Sequence, residues 1–138
     1  MDRACTQVLL VIKGTAVPKG RHKFGKGYTY TPEPTRRHEA LVRSEYLVCG
    51  GHMLHGPIEA EFEFIFEPPK SWSKKKKLQA IGKPKMTRPD LDNLIKCCED
   101  ALNGVAYTDD GRIWKTTAQK IYGEEAMTII KLREVESD

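Results

Sequence analysis

A two-layer α+β sandwich, with a mixed four-stranded sheet and two helices on one face, is the fold this 138-residue sequence predicts. Three observations carry it. Ile58–Phe66 alternates without fault, placing Ile58, Ala60, Phe62, Phe64 and Phe66 on one side and Glu59, Glu61 and Glu63 on the other, a strand with one dry and one wet face. Leu91, Leu94, Ile95, Cys98, Ala101 and Leu102 recur at helical spacing and form an apolar stripe. Two β-rich runs, 113–122 and 126–133, flank Gly123-Glu124-Glu125 and read as a hairpin with a short turn. The order β-α-β-α-β-β buries both helical stripes most simply on one side of the sheet.

The other elements follow along the chain. Residues 6–12, Thr-Gln-Val-Leu-Leu-Val-Ile, predict a short buried strand ended by Lys13-Gly14. From there through Pro34 the chain is rich in Gly, Pro and aromatic residues, and an irregular basic loop is expected. Residues 35–48 suit a helix, with Leu41, Val42, Glu45 and Tyr46 at helical spacing and Gly50-Gly51 just past its end. Pro68-Pro69 closes the alternating strand and opens a lysine-rich loop that Pro84 and Pro89 keep from becoming a long helix. Asp90 is a good N-cap and Asn103-Gly104 a left-handed stop, so the second helix spans residues 91–103.

At 39% hydrophobic residues the chain fits one domain, residues 1–138, with little room for another. No apolar run approaches bilayer-spanning length and the start, Met-Asp-Arg-Ala-Cys, lacks a signal-peptide hydrophobic region, so a soluble, cytoplasmic protein is expected. Cys5, Cys49, Cys97 and Cys98 have no zinc-site spacing and read as reduced thiols.

The net charge of +4 hides a segregation. Residues 67–89 carry Lys70, Lys74, Lys75, Lys76, Lys77, Lys83, Lys85 and Arg88 against the single acid Glu67, a local net of +7 that leaves the rest of the chain at −3. A second basic stretch, residues 13–37, sets Lys19, Arg21, Lys23, Lys26 and Arg36 among Phe24, Tyr28 and Tyr30. Either run alone reads as a solvated loop. Two in one small domain suit a polyanion, because lysines and arginines grip phosphates and aromatic faces stack on unpaired bases.

Between these runs lies an acidic knot. Arg88-Pro-Asp-Leu-Asp-Asn-Leu-Ile-Lys96 is followed by Tyr-Thr-Asp109-Asp110. Carboxylates gathered at one point repel unless a cation joins them, and hard oxygen ligands suit Mg²⁺ or Mn²⁺. With Asp90 as cap and Asp92 in the first turn, the two carboxylates can face one point, and the helix N-terminus favours their charge. Lys96 lies one turn beyond Asp92, placed to reach a phosphate oxygen or to form an ordinary surface ion pair. Asp109-Asp110-Gly111 reads by itself as a plain turn and reaches the knot only if the chain folds back. No Gly-x-Ser-x-Gly element and no phosphate-gripping Gly-rich loop is present, which leaves phosphodiester hydrolysis as the best fit. His52 and His55, among glycines, are read as structural or solvent-exposed.

These residues resemble the RusA family of Holliday junction resolvases, often carried by phages and prophages. The resemblance rests on Asp90-x-Asp92-Asn-x-x-Lys96, then Asp100-Ala-Leu-Asn, then Asp109-Asp110 with a hairpin after it, and more loosely on the Pro-Lys-Gly-Arg-His-Lys-Phe loop. It implies that Asp90, Asp92 and Asp110 bind a divalent metal, that Lys96 is essential to cleavage, and that Asp109 is the less critical of its pair. It also implies a homodimer that places paired nicks in four-way DNA junctions with Mg²⁺, or Mn²⁺ in its place, in recombination and repair. The longer N-terminal loop and the lysine-rich insertion at residues 71–85 depart from the shortest family members. Lys19, Arg21, Lys23, Lys70, Lys74, Lys75, Lys76, Lys77, Lys83, Lys85 and Arg88 are the expected DNA contacts. Competing readings are a non-catalytic DNA-binding protein, whose acidic turn merely caps a helix, and a less selective metal-dependent nuclease.

Overall fold

The computed structural model describes residues 6–20, 23–25 and 27–135. The four-stranded sheet runs β1 (Thr6–Lys13), β6 (Met127–Glu134), β4 (Ile58–Phe66), β5 (Ile113–Tyr122) in spatial order, antiparallel except for the parallel pair β4 and β5. Helices α1 (Glu33–Val48) and α3 (Leu91–Leu102) supply the second layer. Val42 and Tyr46 of α1 join Leu94, Cys98, Ala101 and Leu102 of α3 over the inner sheet residues Leu10, Ile12, Ile58, Phe62, Phe64, Ile130 and Leu132. The α+β sandwich is the one the sequence predicts.

The parallel pair sets up the site. Parallel neighbours need a crossover, and here the chain leaves β4 at Phe66, returns along α3 and re-enters the sheet at Ile113 beside Ile58. That return carries the whole acidic knot. Buried Tyr107 donates its hydroxyl to the carbonyl of Glu99 at 2.7 Å, and Gly104, at φ +87°, donates to the carbonyl of Tyr107 at 2.8 Å. These bonds turn the chain back, which is how residues 109–110 regain the side of α3.

Several elements differ from expectation. The strand over residues 6–13 is buried on one face only, Leu9 and Val11 being exposed, because the helices cover just one side of the sheet. Leu41 of α1 likewise faces outward. Within the first basic stretch, β2 (Lys23–Gly25) and β3 (Tyr28–Tyr30) pair antiparallel instead of forming an irregular loop; Gly27, at φ +76°, supplies the turn. The second basic stretch contains a two-turn helix, α2 (Lys74–Ala80). Ser73 caps it, its hydroxyl accepting from the Lys76 N–H at 3.1 Å, and helix-favouring Lys, Leu, Gln and Ala outweigh the like charges until Gly82 at φ +82° ends the turn. Trp72 then packs on Tyr122, with ring centroids 5.5 Å apart, and ties this insertion to the end of β5.

Candidate active site at the start of the third helix

Asp90 occupies the N-cap position of α3, with extended backbone and its carbonyl accepting from Leu94 at 3.2 Å. Its carboxylate makes no capping hydrogen bond. The expected cap therefore holds for the backbone alone, and the side chain is left exposed at the rim of an open cleft of about 640 Å³ lined by Pro18, Lys19, Arg88, Pro89, Asp90 and Asn93. Asp92, in the first turn of the helix, is also exposed and, among the described residues, accepts only from the neighbouring Asn93 N–H at 2.9 Å.

Lys96 is the hinge between helix and turn. Its ammonium lies 3.2 Å from Asp100 and 3.7 Å from Asp110, so the surface ion pair open to it forms with these two carboxylates and not with Asp92 one turn back. Asp100 in turn lies 3.0 Å from Lys19, which is 2.8 Å from Glu39 of α1. The result is an alternating chain of charge, Glu39, Lys19, Asp100, Lys96, Asp110, that crosses two helices and two loops. The hydrogen bond that Lys96 donates to Asp100 is the largest reason its amine is held above its ordinary range. Burial works to lower the Lys19 amine, but hydrogen bonds to Glu39 and Asp100 together raise it. Half-buried Glu99 is pushed up first by desolvation and then by the charge of Asp110.

Asp109 has a different task. Its carboxylate accepts from Gly111 at 3.0 Å and caps the short 3₁₀ turn Asp110–Arg112, which leaves Asp110 as the member facing Lys96. Arg112 fixes that turn through Thr108 at 3.0 Å and the carbonyl of His55, while Glu134 accepts from the N–H groups of His55 and Gly56.

The single meeting point expected for Asp90, Asp92 and Asp110 is not formed: among the described residues no three His, Cys, Asp or Glu side chains stand close enough to hold a metal ion. Asp110 pairs instead with Lys96, and Asp92 accepts a backbone N–H. The donor chemistry fits a hard divalent ion all the same. It is oxygen only and largely exposed, whereas Cys97 and Cys98 are buried, with desolvation pushing the Cys97 thiol up to about 12 and the Cys98 thiol higher.

The scan against family models places residues 13–133 within "Endodeoxyribonuclease RusA". The chain belongs to the RusA endodeoxyribonuclease family. A RusA-family chain is a nuclease that cuts within DNA, and the matched span takes in α1, α2, α3 and every sheet strand except most of β1. Among curated relatives, a protein of Bacillus subtilis (strain 168) described as uncharacterized protein YqaN is 29% identical over 126 residues, covering 86% of this chain and 87% of that one.

The expected DNA contacts divide into two groups. Lys19 is committed to Glu39 and Asp100, and Lys85 donates to the Thr87 hydroxyl at 2.7 Å with its ammonium over the rings of Phe66 and Tyr122. Both are tied inward. Lys74, Lys75, Lys77 and Lys83 have no carboxylate partner among the described residues, and Lys76 lies 4.2 Å from the Trp72 ring. Lys70 and Arg88 are exposed. Arg21 lies outside the described residues, and of Lys23 only the backbone, in β2, is described. Sequence reasoning missed the part played by Asp100, Glu99 and Glu39. Asp100 could have been found four residues after Lys96, whereas the bridge from Lys19 to two helices depends on contacts across 20 and 81 residues of chain.

Proposed function

We propose that this chain is a metal-dependent, structure-selective endodeoxyribonuclease that resolves four-way DNA junctions as a homodimer, serving recombination and repair in the cytoplasm. The observation that carries this reading is an N-cap aspartate whose carboxylate does not cap. A helix-capping role for the acidic turn, which a non-catalytic DNA-binding protein would need, leaves that geometry unexplained; a metal ligand has to keep its oxygens free.

In this reading Asp90, Asp92 and Asp110 hold the ion, Mg²⁺ with Mn²⁺ able to replace it. Bound there, a divalent ion supplies Lewis-acid charge and a water made nucleophilic at neutral pH. The chain's own groups do the rest. Lys96, kept above its ordinary range by Asp100, is a cation at neutral pH, so it serves as a charge stabiliser for the phosphoryl oxygens and not as a base. Asp100 fixes where that ammonium sits, and Lys19 with Glu39 fixes Asp100 against α1. Lys70, Lys74–Lys77, Lys83 and Arg88 grip phosphates on either side of the cut strand, while Lys19 and Lys85 hold the framework. Two-fold symmetry of a junction matches one such centre per subunit of a C2 dimer.

The deciding experiment compares four-way, flap and linear duplex DNA with and without Mg²⁺. Paired nicks in the four-way substrate, dependent on metal, are expected. Equal cutting of all three substrates points to the less selective nuclease, and binding without cutting points to the non-catalytic protein.

A further inference from the structure

We propose that Lys120 is a positioning residue for Asp90, an inference that rests on the metal-dependent reading above. Lys120 lies on β5 opposite Phe64 of β4. Its ammonium donates to the carbonyl of Thr87 at 2.8 Å and to the carbonyl of Pro89 at 2.7 Å. Those two carbonyls bracket Arg88, and the second belongs to the residue directly before Asp90.

The same stretch of β5 holds the approach to the site at three backbone points. Gly82 donates to the carbonyl of Tyr122 at 2.8 Å, Tyr122 donates to the carbonyl of Lys83 at 3.0 Å, and Lys85 donates to the carbonyl of Lys120 at 3.0 Å. Beyond Lys85 the backbone pairing with β5 stops, and the Lys120 side chain takes over. Charge-assisted hydrogen bonds are roughly twice as strong as neutral ones, so two on the carbonyls either side of Arg88 make a firm clamp. On its other side Asp90 is held by the first bond of α3, from Leu94. Clamp and helix thus fix the backbone of Asp90 from both directions while its carboxylate stays uncommitted. The backbone of a metal ligand supported this way needs no ordering when the ion arrives, and loss of support around a ligand characteristically weakens metal affinity about 10–100-fold.

The test is a double-mutant cycle on the full chain, with Lys120→Met, Asp90→Asn and both together, read by calorimetric titration of Mn²⁺ without DNA and by thermal unfolding. Lys120→Met should keep its fold and lose Mn²⁺ affinity about tenfold or more. Lys120→Arg, which keeps charged donors, should stay within about threefold of the parent, and the double variant should bind no more weakly than Asp90→Asn alone. Unchanged Mn²⁺ affinity in Lys120→Met, or fully additive losses in the double variant, would overturn the role given to Lys120. Should Lys120→Met fail to fold, Lys120→Gln takes its place in the same cycle. A parent chain that binds no Mn²⁺ and cuts no junction defeats the functional reading instead; a parent that does both, beside a Lys120→Met chain that binds equally well, defeats only this inference.

Discussion

The start of α3 and the helix α2 are both dense in charge, yet they use it in opposite ways. Around α3, acids and bases alternate and interlock: Lys96 meets Asp100 and Asp110, and Asp100 meets Lys19, which meets Glu39. Around α2, four consecutive lysines stand on a short helix tied to β5 by Trp72 before it and by Gly82 and Lys83 after it, and none of them has a carboxylate partner among the described residues. Interlocked charges have fixed positions, which chemistry requires. Charges without partners stay mobile and hydrated, ready to trade counterions for phosphates, which is what grip requires. On the function proposed here, rate belongs to one region and affinity to the other, and substitutions can break that division.

The largest effect is expected from Asp92→Asn, which preserves size and removes a charge. Cleavage should collapse while junction binding, followed by gel shift, survives or tightens as repulsion toward phosphate falls. An Asp92→Asn protein that cuts at the normal rate would remove Asp92 from the site. Asp109→Asn should do less, because Asp109 caps its turn through Gly111.

Asp100→Asn probes the interlock itself. It leaves an oxygen for one lysine and takes the charge from both, so the cutting rate should drop roughly tenfold at unchanged DNA affinity, as Lys96 loses its fixed position. A loss of affinity in place of rate would move Asp100 to the gripping surface.

Changing Lys74–Lys77 together to Ala tests the other region. Junction affinity should weaken and its dependence on salt flatten, since each lost phosphate contact releases fewer counterions. Unchanged affinity and salt slope would reduce α2 to a solvated insertion.

The smallest effect concerns stability. N–H groups of Gly56 and His55 hold the Glu134 carboxyl below its ordinary value of 4.5, so the stabilisation it gives is fully present above that pH and is lost as pH falls through the lower folded value. The difference in urea midpoint between the parent and Glu134→Gln should therefore be present at pH 7 and shrink toward pH 3. A difference that grows on acidification would mean the carboxylate is not what holds the 52–56 loop.

Much of this was legible in the chain. The alternation of Ile58–Phe66 fixes both the extent of β4 and its buried face, and the stripe from Leu91 to Leu102 does the same for α3, because local periodicity reports the burial that drives both. The one-sided burial of the first strand is not legible for a physical reason: five apolar residues in a row, 8–12, cannot say whether one face or two will be covered, and that depends on how many helices the rest of the chain supplies. Helix α2 was hidden by its lysines, whose repulsion masks a good cap at Ser73. In the site, the aspartates and Lys96 were visible as a motif. Their partners were not, since Lys19, Glu39 and Lys120 reach the site only through tertiary contacts.

The central claim, that interlocked charge makes the rate and free charge makes the grip, is tested most directly at Lys96. Single-turnover cleavage of a four-way junction by saturating Lys96→Met protein in Mg²⁺ should be slower than the parent by roughly a hundredfold, with the dissociation constant little changed. If Lys96 were only a surface ion pair, the variant would cut at a near-normal rate and lose at most about 0.5 kcal/mol of stability; that result, or a loss confined to DNA affinity, would contradict the account.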